Sequence, residues 1–148
     1  MIDVRRDGYR ISNDPAQLDI DVVHGFLFTA YWSRGIRREQ VVRSIAHSLG
    51  YGLFHEASGA QVGFARAISD RTTFGYLADV FVLEPHRGRG LAKWMVRTIL
   101  ADPELHGFRR WLLATRDAHA IYAACGFVPL TPPERWMQLT PDPDQAAG

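Results

Sequence analysis

The sequence predicts an α/β (α+β) fold in which a central, mixed and twisted β-sheet is flanked by helices. Two features of the pattern predict it: hairpin-like strands come first, and strands that alternate with amphipathic helices follow. The 148 residues, of which 47% are apolar and 22% charged, suffice for one ordinary core, and no long linker divides them. We expect a single domain over residues 1–148, with its core at about 9–139 and a fraying tail at 140–148.

The first half of the chain predicts one strand, two helices and one hairpin. Tyr9–Ser12 is a candidate for the first strand. Apolar residues then recur at helical spacing from Val23 onward, and a second helix is predicted at about 37–48. Strands at 51–56 and 61–68 follow, joined by a glycine-containing turn that is typical of hairpins.

The second half of the chain predicts the crossover part of the sheet. An aromatic and β-branched stretch at 73–83 predicts a long strand. A clean apolar stripe predicts a helix from 88 to about 101, and Asp102-Pro103 ends it. The remaining elements are a strand at 111–115, a helix at 117–125 and short strands at 127–130 and 135–139.

Charge and composition argue against several classes of function. The formal net charge is +1, so we expect no binding to nucleic acid or to a membrane, although 87–93 and 109–110 are local basic clusters. Cys125 is the only cysteine, so no internal disulfide can form and a cytoplasmic location is expected. No apolar run approaches the ~18 residues that span a bilayer. The six histidines show no ligand pairing, so no metal site is predicted.

The most informative stretch is a glycine-containing turn at 80–93, between a predicted strand and a predicted helix. Free N–H groups at a helix start attract anions, and the helix dipole adds to that attraction. Gly88 and Gly90 permit tight backbone conformations, and Arg87, Arg89 and Lys93 add positive charge. The Walker A and dinucleotide motifs fit less well, because the Gly-Lys-Ser/Thr triplet and the third glycine are missing. Two interpretations follow: a pyrophosphate-binding turn, or a basic loop that uses its glycines only to turn.

Two segments resemble signature motifs of the GNAT superfamily of N-acetyltransferases. Residues 86–92, HRGRGLA, are similar to the Arg/Gln-x-x-Gly-x-Gly/Ala motif, with Arg87, Gly90 and Ala92 at its defining places. Residues 118–127, AHAIYAACGF, resemble the Ala-x-x-Leu/Ile-Tyr-x-x-x-Gly-Phe segment of the same family. The element order matches as well. The resemblance implies the GNAT fold and an N-acetyltransferase that uses acetyl-CoA.

The resemblance also implies how acetyl-CoA is held as cosubstrate. Main-chain groups of the strand before the turn would pair with the pantetheine arm as an added strand does, and the helix start would bind the pyrophosphate. The family often carries Asn seven residues before its catalytic tyrosine, where this chain has Thr115. The implied cofactor-binding residues are Phe81, Val82, Leu83, Arg87, Gly88, Arg89, Gly90, Leu91, Ala92, Lys93, Thr115 and Tyr122.

Two residues are candidates for acid and base chemistry. Tyr122 occupies the place of the family's usual general acid, and a phenol with a pKa of about 10 can protonate the leaving thiolate. Asp79 is the candidate base, because a carboxylate in an apolar strand is costly to bury unless it is paired or used. Two interpretations stay open: Asp79 takes the proton from the substrate ammonium, or it is structural and pairs with Arg66 or Arg116.

The sequence restricts the chemical class of the acceptor only in part. The family binds its acceptor near the loop between the first two helices, so Tyr31 and Trp32 are substrate candidates together with Asp79 and His119. No acidic cluster indicates a polyamine or an aminoglycoside. We expect direct attack by a small-molecule primary amine in a ternary complex. A protein or peptide acceptor and a non-catalytic coenzyme-A-binding module are the alternatives, and a homodimer is expected by analogy alone.

Overall fold

Six strands form one sheet, and their spatial order equals their order along the chain. The computed structural model describes residues 1–142, so most of the predicted tail, residues 143–148, lies outside the described residues. The first five strands pair antiparallel with their neighbours, and the sixth pairs parallel with the fifth. The strands are β1 (Asp3–Arg6), β2 (Tyr9–Ser12), β3 (Leu49–His55), β4 (Gln61–Ser69), β5 (Phe74–Val82) and β6 (Arg110–Leu112).

Helices cover both faces of this sheet. They are α1 (Ile20–Thr29), α2 (Arg38–Ala46), α3 (Leu91–Leu100) and α4 (His119–Ala124). On one face, α1 and α2 pack around Phe64 and Phe81. On the other face, α3 and α4 pack with the cluster that contains Tyr51 and Met95. The prediction of a mixed sheet with helices on both faces is therefore confirmed.

Local sequence signals determine where the helices begin and end. The Asp19 side chain accepts hydrogen bonds from two N–H groups in the first turn of α1. Helix α3 begins after Gly90, whose φ of 74° lies in the left-handed region. Beyond its other end, Asp102 accepts a 2.6 Å hydrogen bond from the Tyr51 hydroxyl. Burial raises the pKa of Tyr51, so this phenol stays protonated and the core contact persists.

Strand β5 contains one extra residue relative to β4. Arg66 lies opposite Ala78, whereas Phe64 lies opposite Phe81, so two steps along β4 match three along β5. Asp79 sits inside this bulge with a φ of 55°, a left-handed conformation that Asp tolerates better than most residues. The bulge bends β5 at the position of the candidate base.

Strands β5 and β6 pair over a short stretch and then diverge. The three paired positions join Phe74–Tyr76 to Arg110–Leu112, and residues 77–82 of β5 have no partner in β6. At the paired end the strands approach so closely that a Cβ on Gly75 would lie 2.6 Å from the Trp111 ring. The sheet therefore opens into a V-shaped gap beside the second half of β5.

The two strands predicted at 127–130 and 135–139 are wrong. Residues Pro133–Arg135 form a 3-10 turn, and the flanking residues have no regular structure. Pro129, inside the first of these segments, lacks the N–H donor that a strand ladder needs. Pro132 and Pro133 belong to the turn that precedes the second segment.

Strand β1 is missing from the sequence-based prediction, which starts the core at about residue 9. All four of its residues are exposed, so no buried alternation marks it. Pairing with β2 and a 2.8 Å ion pair from Arg10 to Asp3 hold it to the sheet edge. The other predicted elements form with bounds that shift by a few residues.

Candidate active site

A cleft of about 1060 Å³ lies where β5 and β6 diverge. One wall is the second half of β5 with the start of α3. The opposite wall is the connection from β6 to α4, together with Tyr122 of α4. Tyr31 and Trp32, from the loop between α1 and α2, line the side nearest those helices. A cleft of this size is typical of small-molecule and cofactor sites.

The start of α3 presents unused main-chain donors to this cleft. The first N–H that bonds within the helix belongs to Trp94, which donates to the Gly90 carbonyl at 3.1 Å. The N–H groups of Leu91, Ala92 and Lys93 precede that bond, and all three residues line the cleft. Together with the helix dipole, these donors are of the kind that attracts an anion.

The turn before α3 holds its shape through glycine conformations and one side chain. Gly88 has a φ of 79°, which only glycine adopts readily. The Arg87 Nε atom donates a 2.8 Å hydrogen bond to the Val82 carbonyl and so ties the turn back to β5. On the solvent side, the Arg6 guanidinium of β1 lies 3.5 Å from the Gly90 carbonyl and 4.9 Å from the centre of the Trp94 ring. Arg6 was not among the predicted site residues, because β1 carries no pattern in the sequence.

Val82 is the residue of β5 whose polar main-chain groups face the gap. Leu83 donates its N–H to the Val62 carbonyl at 2.8 Å, so Leu83 and, by alternation, Phe81 direct their main-chain groups toward β4. Val82, opposite Gly63, directs its N–H and C=O away from β4. Of the three residues predicted to pair with a pantetheine arm, the geometry therefore favours Val82.

Tyr122 lies on α4 and faces the cleft from the wall opposite β5. Its ring packs edge-on against Phe127, with ring centres 6.0 Å apart. Among residues 1–142, no hydrogen bond engages its hydroxyl, which is therefore available to a ligand. Burial raises the pKa of Tyr122 to about 12, and Tyr31 and Cys125 add to the shift. The phenol thus remains a donor throughout the neutral and mildly alkaline range.

Asp79 is held by two donors from different parts of the chain. Its Oδ2 lies 2.9 Å from the Arg66 Nε, in an ion pair whose side chains are 10% and 15% exposed, respectively. Its Oδ1 accepts a 2.9 Å hydrogen bond from the Trp32 indole N–H. The ion pair with Arg66, one of the two interpretations from the sequence, is present. Both carboxylate oxygens are therefore occupied before any substrate arrives.

A contact between two loops crosses the cleft. The Tyr31 hydroxyl, in the α1–α2 loop, accepts a 2.9 Å hydrogen bond from the Arg116 main-chain N–H, in the β6–α4 connection. The Arg116 guanidinium also lies 4.0 Å from the centre of the Tyr31 ring, a cation–π contact. We call this Tyr31–Arg116 contact the strap. It joins the two walls on the side where Tyr31 and Trp32 lie.

Most predicted site residues meet in this cleft, and three do not. Leu83 packs with the α1–α2 cluster, the Arg89 side chain is exposed outside the cleft, and His119 lines a separate cavity along β6. Thr115 lines the cleft, but its hydroxyl accepts a 3.0 Å hydrogen bond from the Ala118 N–H. The others that line it are Tyr31, Trp32, Asp79, Phe81, Val82, Arg87, Gly88, Gly90, Leu91, Ala92, Lys93 and Tyr122.

The part of the chain that the structure describes contains no group of three or more His, Cys, Asp or Glu side chains placed to hold a metal ion. Within residues 1–142, none of the helices has the length and apolarity to cross a membrane.

Comparison with solved structures and with family models identifies the class of protein. A crystal structure of a "putative acetyltransferase belonging to the gnat family" from Xanthomonas campestris pv. campestris is similar to this chain, with a TM-score of 0.85 and 45% identity, over 89% of this chain and 92% of that one. Residues 20–127 match the model of the acetyltransferase (GNAT) family. The chain therefore belongs to the GNAT acetyltransferase family.

Other relatives agree with this assignment. "Putative acetyltransferase FG08082" of Gibberella zeae is 30% identical, and the match covers 76% of this chain and 74% of that protein. A Clostridium acetobutylicum protein described as a "predicted acetyltransferase with acetyl-CoA" shares the fold, with a TM-score of 0.62 and 14% identity, over 89% of this chain and 94% of that one. GNAT enzymes transfer the acetyl group of acetyl-CoA to an acceptor.

Proposed function

We propose that this protein is an acetyl-CoA-dependent N-acetyltransferase that acetylates a primary amine of a small molecule by direct attack in a ternary complex. The observation that carries the proposal is the set of unused N–H groups at Leu91, Ala92 and Lys93, in the same cleft as the free hydroxyl of Tyr122. That arrangement offers an anion site and a proton donor on opposite walls. The solved Clostridium acetobutylicum relative that contains acetyl-CoA supports the choice of cosubstrate.

The donor set fits acetyl-CoA. Main-chain N–H groups and the positive charges of Arg87 and Lys93 match a pyrophosphate. The outward N–H of Val82, whose carbonyl already accepts from Arg87, matches an amide carbonyl of an extended pantetheine arm. When bound, acetyl-CoA supplies an acetyl group activated as a thioester. Val82 and the start of α3 orient that thioester in the gap between β5 and β6.

Direct transfer is favoured because, within residues 1–142, no cysteine lines the cleft and the serines that line it are not activated. Cys125 does not line it and lies instead beside the separate cavity along β6. Ser33 and Ser44 do line it, but their hydroxyls donate to the carbonyls of Leu27 and Val41 and have no general base beside them. The neutral amine nitrogen then forms its bond to the acetyl carbon as the carbon–sulfur bond breaks. The nitrogen loses one proton to water, and coenzyme A leaves as a thiolate.

Tyr122 acts on the leaving sulfur. Its pKa of about 12 exceeds that of a thiol, which is about 8.5, so complete proton transfer from the phenol is uphill. The hydroxyl therefore serves first as a hydrogen-bond donor to the sulfur while negative charge develops there, and it keeps its own proton until that charge is large. Asp79, with both oxygens occupied, holds Trp32 and Arg66 in place and is a positioning residue in this scheme.

The strap favours a small acceptor over a protein segment. An extended peptide needs a groove that is open along its length, whereas Tyr31 and Arg116 join the two walls of this cleft. The protein or peptide acceptor thus has less support in the geometry.

Calorimetry with acetyl-CoA, followed by thiol release over a panel of amines and peptides, tests the proposal. We expect acetyl-CoA binding and amine-dependent release of coenzyme A. Acetylated peptides in mass spectra, without acetylated small amines, would support the alternative acceptor. Binding without transfer to any acceptor would support a coenzyme-A-binding module. If calorimetry detects no binding of acetyl-CoA to the folded protein, the proposal is wrong.

A further inference from the structure

The part of the cleft beside the α1–α2 loop, where we place the acceptor, is formed by one face of the sheet. Ile68 of β4 and Tyr76 of β5 lie opposite each other, and Arg66 lies two residues before Ile68 on the same face. Tyr31 and Trp32 of the α1–α2 loop line the same part of the cleft. We call these five residues the acceptor face.

The charges on and around the acceptor face are already paired. Arg66 lies 2.9 Å from Asp79, and Trp32 occupies the other oxygen of that carboxylate. Arg116 lies over the Tyr31 ring and 3.5 Å from the Asp117 carboxylate. Among the side chains that line this part of the cleft, each carboxylate and each guanidinium therefore has an opposite charge within 3.5 Å. Arg34, on the same loop as Tyr31 and Trp32, is exposed and does not line the cleft.

The surfaces left for an acceptor to touch are apolar and aromatic. Ile68, Tyr31 and Trp32 are large side chains that are nevertheless 41%, 40% and 43% exposed, respectively. Aromatic faces attract an ammonium group without a carboxylate, and aliphatic surface favours an apolar partner. A molecule with one amino group on an uncharged, apolar body can make both the ammonium–aromatic contact and the apolar contact.

We propose that the acceptor is a small primary amine carried on an apolar or aromatic body, and that a second charge of either sign on that body is disfavoured. This inference rests on the proposed function and specifies its substrate class. A second ammonium would find no free carboxylate on the acceptor face, and a carboxylate or phosphate would find no free arginine. Burying either charge without a partner is costly, whereas an apolar body loses nothing.

Three amines of equal reach test the proposal: hexylamine, 1,6-diaminohexane and 6-aminohexanoate. They differ only in the group at the far end of the chain, and 2-phenylethylamine adds an aromatic body. Because both ends of 1,6-diaminohexane can react, its kcat/KM is divided by two before the comparison. With saturating acetyl-CoA, we expect kcat/KM for the two uncharged bodies to exceed that for both charged analogues by at least about tenfold. A charged analogue that performs equally well or better would overturn the inference. So would acetylation of amines in a wider panel, such as aminoglycosides or lysine peptides, with none of the apolar amines accepted.

A charge placed on the acceptor face gives an independent readout. Ile68→Glu puts a carboxylate beside the acceptor, and Ile68→Gln is its uncharged control of similar size. We expect Ile68→Glu, but not Ile68→Gln, to raise the rate with 1,6-diaminohexane relative to hexylamine by up to about fivefold, the value of a partly exposed ion pair. An unchanged ratio would mean that the acceptor body lies elsewhere and would overturn the inference.

The two proposals fail in different ways. Acetyl-CoA binding without transfer to any amine contradicts the proposed function, and the substrate class falls with it. Transfer that favours charged acceptors contradicts the substrate class alone.

Discussion

Replacing Asp79 with Asn distinguishes a positioning carboxylate from a catalytic base. Asn has the same shape, tolerates the φ of 55° at this position, and can still accept from Trp32. Its amide cannot neutralise Arg66, whose side chain is only 15% exposed. Removing one partner of a buried ion pair costs about 3–5 kcal/mol, because the remaining charge is left without compensation. For a domain of this size, that corresponds to a fall in Tm of roughly 6–20 °C.

Thermal unfolding of four proteins measures this effect: wild type, Asp79→Asn, Arg66→Met and the double variant. We expect both single variants to lose stability and the double variant to regain much of it, because two neutral groups can replace a buried pair at little cost. A Tm of Asp79→Asn within about 2 °C of wild type, which corresponds to about 1 kcal/mol or less, would refute the structural role.

The pH profile supplies the second readout. If Asp79 only positions Trp32 and Arg66, the single variant has a lower kcat/KM with an unchanged acid limb. If Asp79 takes the proton from the amine, the acid limb disappears in Asp79→Asn while acetyl-CoA affinity survives. Loss of that limb in a variant with native stability would contradict our assignment.

Three further predictions concern the proton donor, the turn and acid stability. Tyr122→Phe should lower kcat by about 10²–10⁴-fold while acetyl-CoA affinity stays native. Turnover of the wild-type enzyme should not fall between pH 8 and 10 through ionisation of this phenol, because its pKa is about 12. Gly90→Ala should weaken acetyl-CoA binding in calorimetry, whereas Gly107→Ala, with a similar positive φ outside the cleft, should cost stability alone. The pKa of Asp70 is lowered by the hydrogen bonds that its carboxylate accepts. The largest effect comes from the Thr73 hydroxyl, and main-chain N–H groups of Thr73 and its neighbours add to it. The stability that this carboxylate contributes is therefore present above its unfolded pKa of about 4 and is lost as the pH falls below that value. In acid unfolding experiments, the Asp70→Asn variant should not show this loss of stability.

The glycine-containing turn before α3 could be predicted because its signals are local. Glycines with positive φ, a following apolar stripe and a helix start lie within a few consecutive residues, and the structure has the turn where the motif indicates it. The same holds for the order of hairpins and crossovers. Short-range patterns of this kind survive folding because tertiary contacts reinforce them.

The contacts on the proposed acceptor side could not be predicted in the same way, although the resemblance pointed to Tyr31, Trp32 and Asp79. Trp32 and Asp79 are 47 residues apart in the chain, and Tyr31 and Arg116 are 85 apart, so only the folded sheet brings them together. Nor does any local signal mark the bulge, because Asp79 sits in an ordinary apolar strand pattern. The C-terminal strand predictions failed for the opposite reason: an apolar pattern was present, but Pro129 withholds an N–H donor in the first segment and a turn precedes the second.

One extra residue in β5 connects these features. Leu77 and Val82 both pack in the core cluster on the α3 face although they are five positions apart, which a regular strand forbids. The bulge between them therefore exchanges the two faces of the sheet toward which successive β5 side chains point. Beyond the bulge, the main-chain groups of Val82 point into the gap. Within it, the Asp79 side chain points toward Trp32. At the paired end of the two strands, the absence of a side chain at Gly75 lets Trp111 pack against the backbone. The cleft is thus produced by the sheet itself, and the α1–α2 and β6–α4 loops complete its lining.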